Sequence, residues 1–262
     1  MPKPNTTTPG APCWIDLSTS NPDAAKAFYG EAFGWTVDDT NAEQFGGYFS
    51  FLKDGRKVAG GMPSDGQSGP DTWTVYLRST DAATTVAQVR AKGGNVIVDP
   101  MPVADLGTMA VVTDVAGASL GIWQPGQHVG FDVVGEPGSA NWFELHTSRY
   151  EASLNFYRDV FGWTVTTASD APEFRYSVFA DGDDQLAGVM DASAFLPEGV
   201  TAEWSVYFGV DDTDKASELV VELGGTVVEP AEDTPYGRLA RVADPTGTQF
   251  KLVAPNDQMP AK

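Results

Sequence analysis

Cysteine is almost absent from this chain: Cys13 is the only one in 262 residues. A single thiol can form neither an internal disulfide nor a structural zinc site built on several Cys donors. Histidine is nearly as scarce, with only His128 and His146. Positive charge is short too. Sixteen Lys and Arg stand against 36 Asp and Glu, a formal net charge of −20. That balance repels phosphate backbones and anionic lipid surfaces, so neither a nucleic-acid nor a membrane partner is expected. No apolar run approaches the roughly 20 residues of a membrane helix. The opening MPKPNTTTPG has no apolar stretch of signal-peptide type. These absences point to a cytoplasmic protein. No serine sits in a nucleophile-elbow context, and no Gly-rich segment follows a strand in the phosphate-cradling pattern.

What is present is repetition. Trp14 to Val37 reads WIDLSTSNPDAAKAFYGEAFGWTV, and Trp142 to Val165 reads WFELHTSRYEASLNFYRDVFGWTV. Half of these 24 paired positions are identical, at a constant offset of 128. The segment from Thr72 likewise pairs with the one from Glu203. So long a period means duplicated domains rather than a solenoid. The boundaries read as a first module over residues 10–125, a Gly-rich linker over 126–139, and a second module over 140–256.

Each module opens with an alternating strand, Cys13 to Ser18 and Asn141 to His146. Ser20 with Asp23, and Ser148 with Glu151, have capping-box spacing for the helix that follows. Both helices end at Phe-Gly-Trp, with Gly34 and Gly162 suited to a left-handed C′ position. Two further strands end near VAGGM and LAGVM. A second unit follows: a strand from Trp73 or Trp204, a helix from near Asp81 or Asp212 to a Gly-Gly stop, and a last hairpin turned by DVAG or DPTG. The repeating unit is βαβββ, present four times. The fold class is α+β, with two pseudo-symmetric modules carrying curved, partly closed mixed β-sheets.

Strand alternation separates two faces. One face of the opening strands carries Cys13, Ile15 and Leu17, or Phe143 and Leu145, and is core. On that face Cys13 reads as an inert buried thiol. The other carries Trp14, Asp16 and Ser18, or Trp142, Glu144 and His146. Thr74, Tyr76, Ser205 and Tyr207 share that second face, as do Trp123 and Lys251 from the last strands. Aromatics beside isolated carboxylates fit the lining of a pocket for a small organic molecule. They equally fit ordinary packing between layers. A carboxylate against aromatic walls loses hydration, which should raise its pKa and make Asp16 or Glu144 a candidate general base. The alternative is a carboxylate held by a neighbouring Tyr or a backbone amide. Glu144 and His146, two positions apart, could form an acid–base pair or bind a metal. His128, in QPGQHVG, reads as a surface residue.

The FY…FGW segment, the helix with its Gly-Gly stop and the DPxG turn together resemble the vicinal-oxygen-chelate superfamily of glyoxalases, bleomycin-resistance proteins and extradiol dioxygenases, in its tandem two-module actinobacterial form. The resemblance runs from about Pro12 to Pro255. In metal-dependent members the first and fourth strands supply His, Glu or Gln ligands. Carried over, these positions fall at Trp14, Trp142, Gly60, Gly188, Thr74, Ser205, Gly121 and Lys251, and none is a usual ligand. The resemblance therefore implies no cofactor and no bound metal. It implies a small-molecule binding protein of sequestration or resistance type, lined also by Met62 and Met190, with a flat or aromatic ligand. The alternative is a metal-free lyase, isomerase or hydroxylase-like enzyme using Asp16 or Glu144 as base. The chain is expected to be a monomer with pseudo-dimeric symmetry, or a homodimer.

Overall fold

The computed structural model describes residues 2–4, 6–67 and 69–259. In the first module, β1 (Pro12–Thr19) and α1 (Pro22–Phe33) lead to β2 (Thr36–Asp38), β3 (Phe49–Lys53) and β4 (Arg56–Pro63). Then come β5 (Thr72–Arg78), α2 (Ala82–Ala91), β6 (Asn95–Val103), β7 (Gly107–Thr113) and β8 (Ser119–Pro125). The second module repeats this with β9 (Ala140–Thr147), α3 (Tyr150–Phe161), β10 (Val165–Ala171), β11 (Phe174–Asp181) and β12 (Asp184–Asp191). It closes with β13 (Ala202–Gly209), α4 (Thr213–Glu222), β14 (Thr226–Thr234), β15 (Gly237–Ala243) and β16 (Gln249–Ala254). Three strands follow each first helix, which completes the βαβββ unit. The first of them in the first module, β2, is only three residues long.

Each module forms one eight-stranded mixed sheet. The orders are β2-β3-β4-β1-β5-β8-β7-β6 and β10-β11-β12-β9-β13-β16-β15-β14. The parallel pairs set the register: Asp16 opposes Gly60, and Glu144 opposes Gly188. Contacts divide the chain into two compact units, each drawn from both modules. The first comprises the chain up to Trp14, Thr74–Phe131 and Trp142–Ser205. The second comprises Ile15–Trp73, Asp132–Asn141 and Val206 onward.

Gly34 and Gly162 end α1 and α3 with φ of 69° and 72°, the left-handed conformation that costs glycine least. Asp81 and Asp212 cap α2 and α4 by accepting from backbone N–H groups in the first turn. The first-helix starts differ from the expected capping boxes. Asn21 caps α1 through Ala24 N–H at 3.2 Å, while the Ser20 hydroxyl donates instead to Asp71. Arg149 begins α3 with no side-chain cap, and the Ser148 hydroxyl donates to the Thr201 carbonyl. In both cases the serine lies one residue before the N-cap position.

The helix tyrosines of the repeated FY pair organise the two interiors. In the second unit, Trp73 Nε1–H donates to the Tyr29 hydroxyl (3.0 Å), which donates to Asp244 (3.1 Å). In the first unit, Trp204 donates to Tyr157 (3.0 Å), which donates to Asp114 (3.1 Å). Each Asp also ties its own hairpin turn, accepting from Ala116 and Ala118 N–H or from Thr246 and Thr248 N–H. Burial raises the Asp114 carboxyl above its ordinary value, with the hydrogen bonds pulling back. These triads explain why FY and the D-x-x-G turn recur together. The segment at 126–139 has no regular structure, yet it buries Phe131 and Val133.

Candidate functional site

In the first unit, β9 carries Trp142, Glu144 and His146 at alternate positions. Glu144 Oε1 accepts from the Tyr176 hydroxyl at 2.6 Å, and Oε2 lies 2.7 Å from His146 Nε2. An ionised carboxylate only accepts, so the shared proton belongs on Nε2 when Glu144 is charged. Trp142 Nε1–H donates to the Tyr176 hydroxyl at 2.9 Å. His146 Nδ1 stands 3.6 Å from Glu203 Oε1. Tyr176, Glu144 and His146 are 7%, 5% and 1% exposed, whereas Trp142 is half-buried. Met190 lies opposite His146 in register.

Gly188 is required by this arrangement. A Cβ built there would collide with the Tyr176 hydroxyl and come within 3.1 Å of the Trp142 indole nitrogen. The second unit repeats the design. Asp16, 9% exposed, accepts from the Tyr48 hydroxyl at 2.8 Å, and a Cβ at Gly60 would collide with that hydroxyl and with Asp16 Oδ1. Ser18 and Thr72 stand where the first unit has His146 and Glu203. Lys251 donates to the Tyr207 hydroxyl at 2.8 Å, with its ammonium 4.7 Å from that ring's centroid. Its counterpart in the first unit is Gly121, over which the Tyr76 ring lies.

The sequence-derived residues therefore separate. Glu144, His146, Trp142, Gly188, Met190, Tyr76, Trp123, Thr74 and Ser205 belong to the first unit. Asp16, Gly60, Met62, Tyr207 and Lys251 belong to the second. Trp14, expected as the twin of Trp142, falls in the first unit and is 3% exposed. Its ring meets His128 edge-on at 4.5 Å and Phe131 at 5.4 Å. His128, expected at the surface, is half-buried between Trp14 and Trp123. The difference from Trp142 is physical: the irregular segment after β8 covers Trp14. Thr74, Ser205 and Lys251 are half-buried, and Met62 is 42% exposed.

Sequence reasoning missed Tyr48, Tyr176 and Glu203. A signal existed for the tyrosines. They are paired at the same offset of 128, in YFSF and YSVF. Cys13 is buried, and that burial pushes its thiol up to about 12. The folded protein should thus resist thiol-specific labelling at neutral pH, and labelling should become complete in denaturant. Rapid modification of the native chain would contradict the placement of Cys13.

A divalent ion needs converging carboxylate, imidazole or thiolate donors. Two of the inherited ligand positions are Gly60 and Gly188, and tyrosine hydroxyls stand where a side chain there would begin. Lys251 brings an ammonium to a third. Among the described residues, no group of three or more His, Cys, Asp or Glu side chains is placed to hold a metal. The donor set does not fit a metal centre. Among the same residues, no helix is long and apolar enough to cross a membrane.

The model of the Glyoxalase/Bleomycin resistance protein/Dioxygenase superfamily matches residues 13–122 and 139–252. The chain is 36% identical over 263 residues to the putative glyoxylase CFP32 of Mycobacterium tuberculosis, covering 98% of this chain and 100% of that protein. It is 36% identical over 267 residues to the anthracycline biosynthesis protein DnrV of Streptomyces peucetius, covering 97% and 96%. Among solved structures, an Mn(II)-bound glyoxalase from Novosphingobium aromaticivorans aligns with a TM-score of 0.61 at 16% identity, over 97% of this chain and 87% of that one. The 2,3-dioxygenase LapB from Pseudomonas sp. KL28 aligns with a TM-score of 0.62 at 11% identity, over 98% of each chain. At such identities these two structures establish the fold alone.

Proposed function

The chain belongs to the glyoxalase/bleomycin resistance protein/dioxygenase superfamily, and from that premise we propose that it binds small organic molecules without a metal, one in each unit. The observation that carries this reading is the twice-repeated Tyr–carboxylate pair over a glycine: Tyr176 with Glu144 over Gly188, and Tyr48 with Asp16 over Gly60. Each hydroxyl fills the space from which a metal ligand would project and fixes the carboxylate in one orientation. What remains is an aromatic wall with a few set polar groups, the composition of a small-molecule site. Trp142, half-buried and anchored through its indole N–H, is the natural stacking surface. A relative named for anthracycline biosynthesis supports a flat ligand, since anthracyclines are fused aromatic ring systems.

Native mass spectrometry of the protein purified from its own host tests the reading. A retained organic molecule, released on denaturation and absent from an unrelated protein prepared alongside, is the expected result. A chain that arrives bare and binds no member of an aromatic metabolite panel would count against it.

A further inference from the structure

The loop after β12 in the first unit carries an aromatic outside the Tyr–carboxylate pair. Phe195 is 55% exposed, and its ring meets His146 edge-on with centroids 6.3 Å apart. A lone exposed apolar residue is ordinary on a protein surface. Phe195 differs because its loop is tied at both ends. Ala192 N–H donates to the Thr147 carbonyl, and Ser148 N–H to the Thr201 carbonyl, each at 2.9 Å. Between these ties, the N–H groups of Phe195 and Leu196 both donate to the Ala192 carbonyl at 3.0 Å. The turn therefore positions the ring without burying it, so little ordering cost remains when a ligand meets it.

The second unit ties its corresponding loop, residues 64–71, in the same way. Ser64 N–H donates to the Thr19 carbonyl at 2.8 Å, and Ser20 N–H to the Asp71 carboxylate at 2.9 Å. That loop reads SDGQSGPD and has no aromatic side chain. The loop thus forms without one, and the ring at position 195 is not needed to close it.

The strand register says where that ring stands. Glu144 opposes Gly188 and Thr147 opposes Asp191, so the loop leaves β12 at the His146 end of β9. Trp142 lies toward the other end. Four residues of strand separate Trp142 from His146, about 13 Å at the usual rise. Glu144, accepting from the Tyr176 hydroxyl, sits midway, and half-buried Met190 opposes His146. The row is an elongated strip with an accessible aromatic toward each end, a carboxylate in the middle and a polarizable thioether at the Phe195 end.

From this placement we infer that Phe195 is a second ligand contact and that the first unit selects by length. It takes planar systems of three or more fused rings that carry a hydroxyl near the centre. This rests on the small-molecule binding proposed above. One end of the ligand stacks on Trp142, and the other meets Phe195 and Met190. The hydroxyl donates to Glu144, since an ionised carboxylate only accepts. A system of one or two rings is shorter than the row and touches one end of it.

The test measures binding of 1-hydroxyanthraquinone, with three fused rings, and of 1-naphthol, with two, by equilibrium dialysis. Phe195→Ala should weaken 1-hydroxyanthraquinone by about tenfold at one of the two sites and 1-naphthol by less than about twofold. Its urea unfolding midpoint should match the parent's, because the ring is exposed. Trp142→Ala should weaken both probes at that same site, and Phe195→Tyr should bind like the parent. Tight binding of 1-hydroxyanthraquinone that Phe195→Ala leaves intact would overturn the inference while the binding reading stands. Equal losses for the two probes would overturn selection by length. A lowered urea midpoint in Phe195→Ala would make the ring structural and overturn the inference as well. Failure of both probes to bind the parent would count against this inference and the small-molecule reading together.

Discussion

Replacing Trp14 by alanine is expected to lower folding stability by about 3–5 kcal/mol, the usual cost of truncating a large buried aromatic. Trp14 is 3% exposed and packs edge-on against His128 at 4.5 Å and against Phe131 at 5.4 Å. The residue at the paired position should behave differently. Trp142 is half-buried, so its truncation leaves less of a void. Trp142→Ala should instead weaken ligand binding by about 1–3 kcal/mol, the scale of a lost stacking platform. Urea unfolding of each variant, with ligand titration of the folded protein, separates the two effects. The reverse pattern, with Trp142→Ala the more destabilising, would mean that the two first-strand tryptophans have been assigned to the wrong environments.

Gly188→Ala should destabilise the first unit. Its Cβ lands on the Tyr176 hydroxyl and beside the Trp142 indole nitrogen, so the tyrosine must leave Glu144 or the strand must shift. Overpacking of this kind costs about 1–3 kcal/mol. Tyr176→Phe alone should cost a comparable amount, because Glu144 loses a 2.6 Å donor while staying buried. Combined, the two should fall short of their sum by about 1–2 kcal/mol, since the atom that collides is the atom removed. A double-mutant cycle by chemical denaturation measures this coupling. Strict additivity would show that the hydroxyl does not stand over Gly188.

Much of the architecture was legible in the sequence because its signals are local. The repeat announces two modules, Gly34 and Gly162 announce helix ends, and Asp81 and Asp212 announce helix starts. The exchange of halves between units has no local signal. It depends on pairings such as Tyr29 with Asp244, 215 residues apart, which no periodicity encodes. The site was legible in part. Strand alternation placed Asp16 and Glu144 on the polar aromatic face, and one of the two readings of each carboxylate was a bond to a nearby tyrosine. Which tyrosine required the register, because Tyr48 and Tyr176 come from segments whose side-chain direction is set by neighbouring strands. Two glycines that look like failed metal ligands in sequence have a positive role in three dimensions. They make room for those hydroxyls.

The central claim is that tyrosine hydroxyls have taken the space of a metal centre in both units. The most direct measurement is an elemental count of Zn, Ni, Fe and Mn on the protein purified without chelator, normalised to chain. The account predicts well below one metal per chain, with ligand binding unchanged by EDTA. A reproducible stoichiometry of one metal per unit, lost on chelation together with binding, would contradict it. That result would also require Tyr176 and Tyr48 to swing away from Gly188 and Gly60.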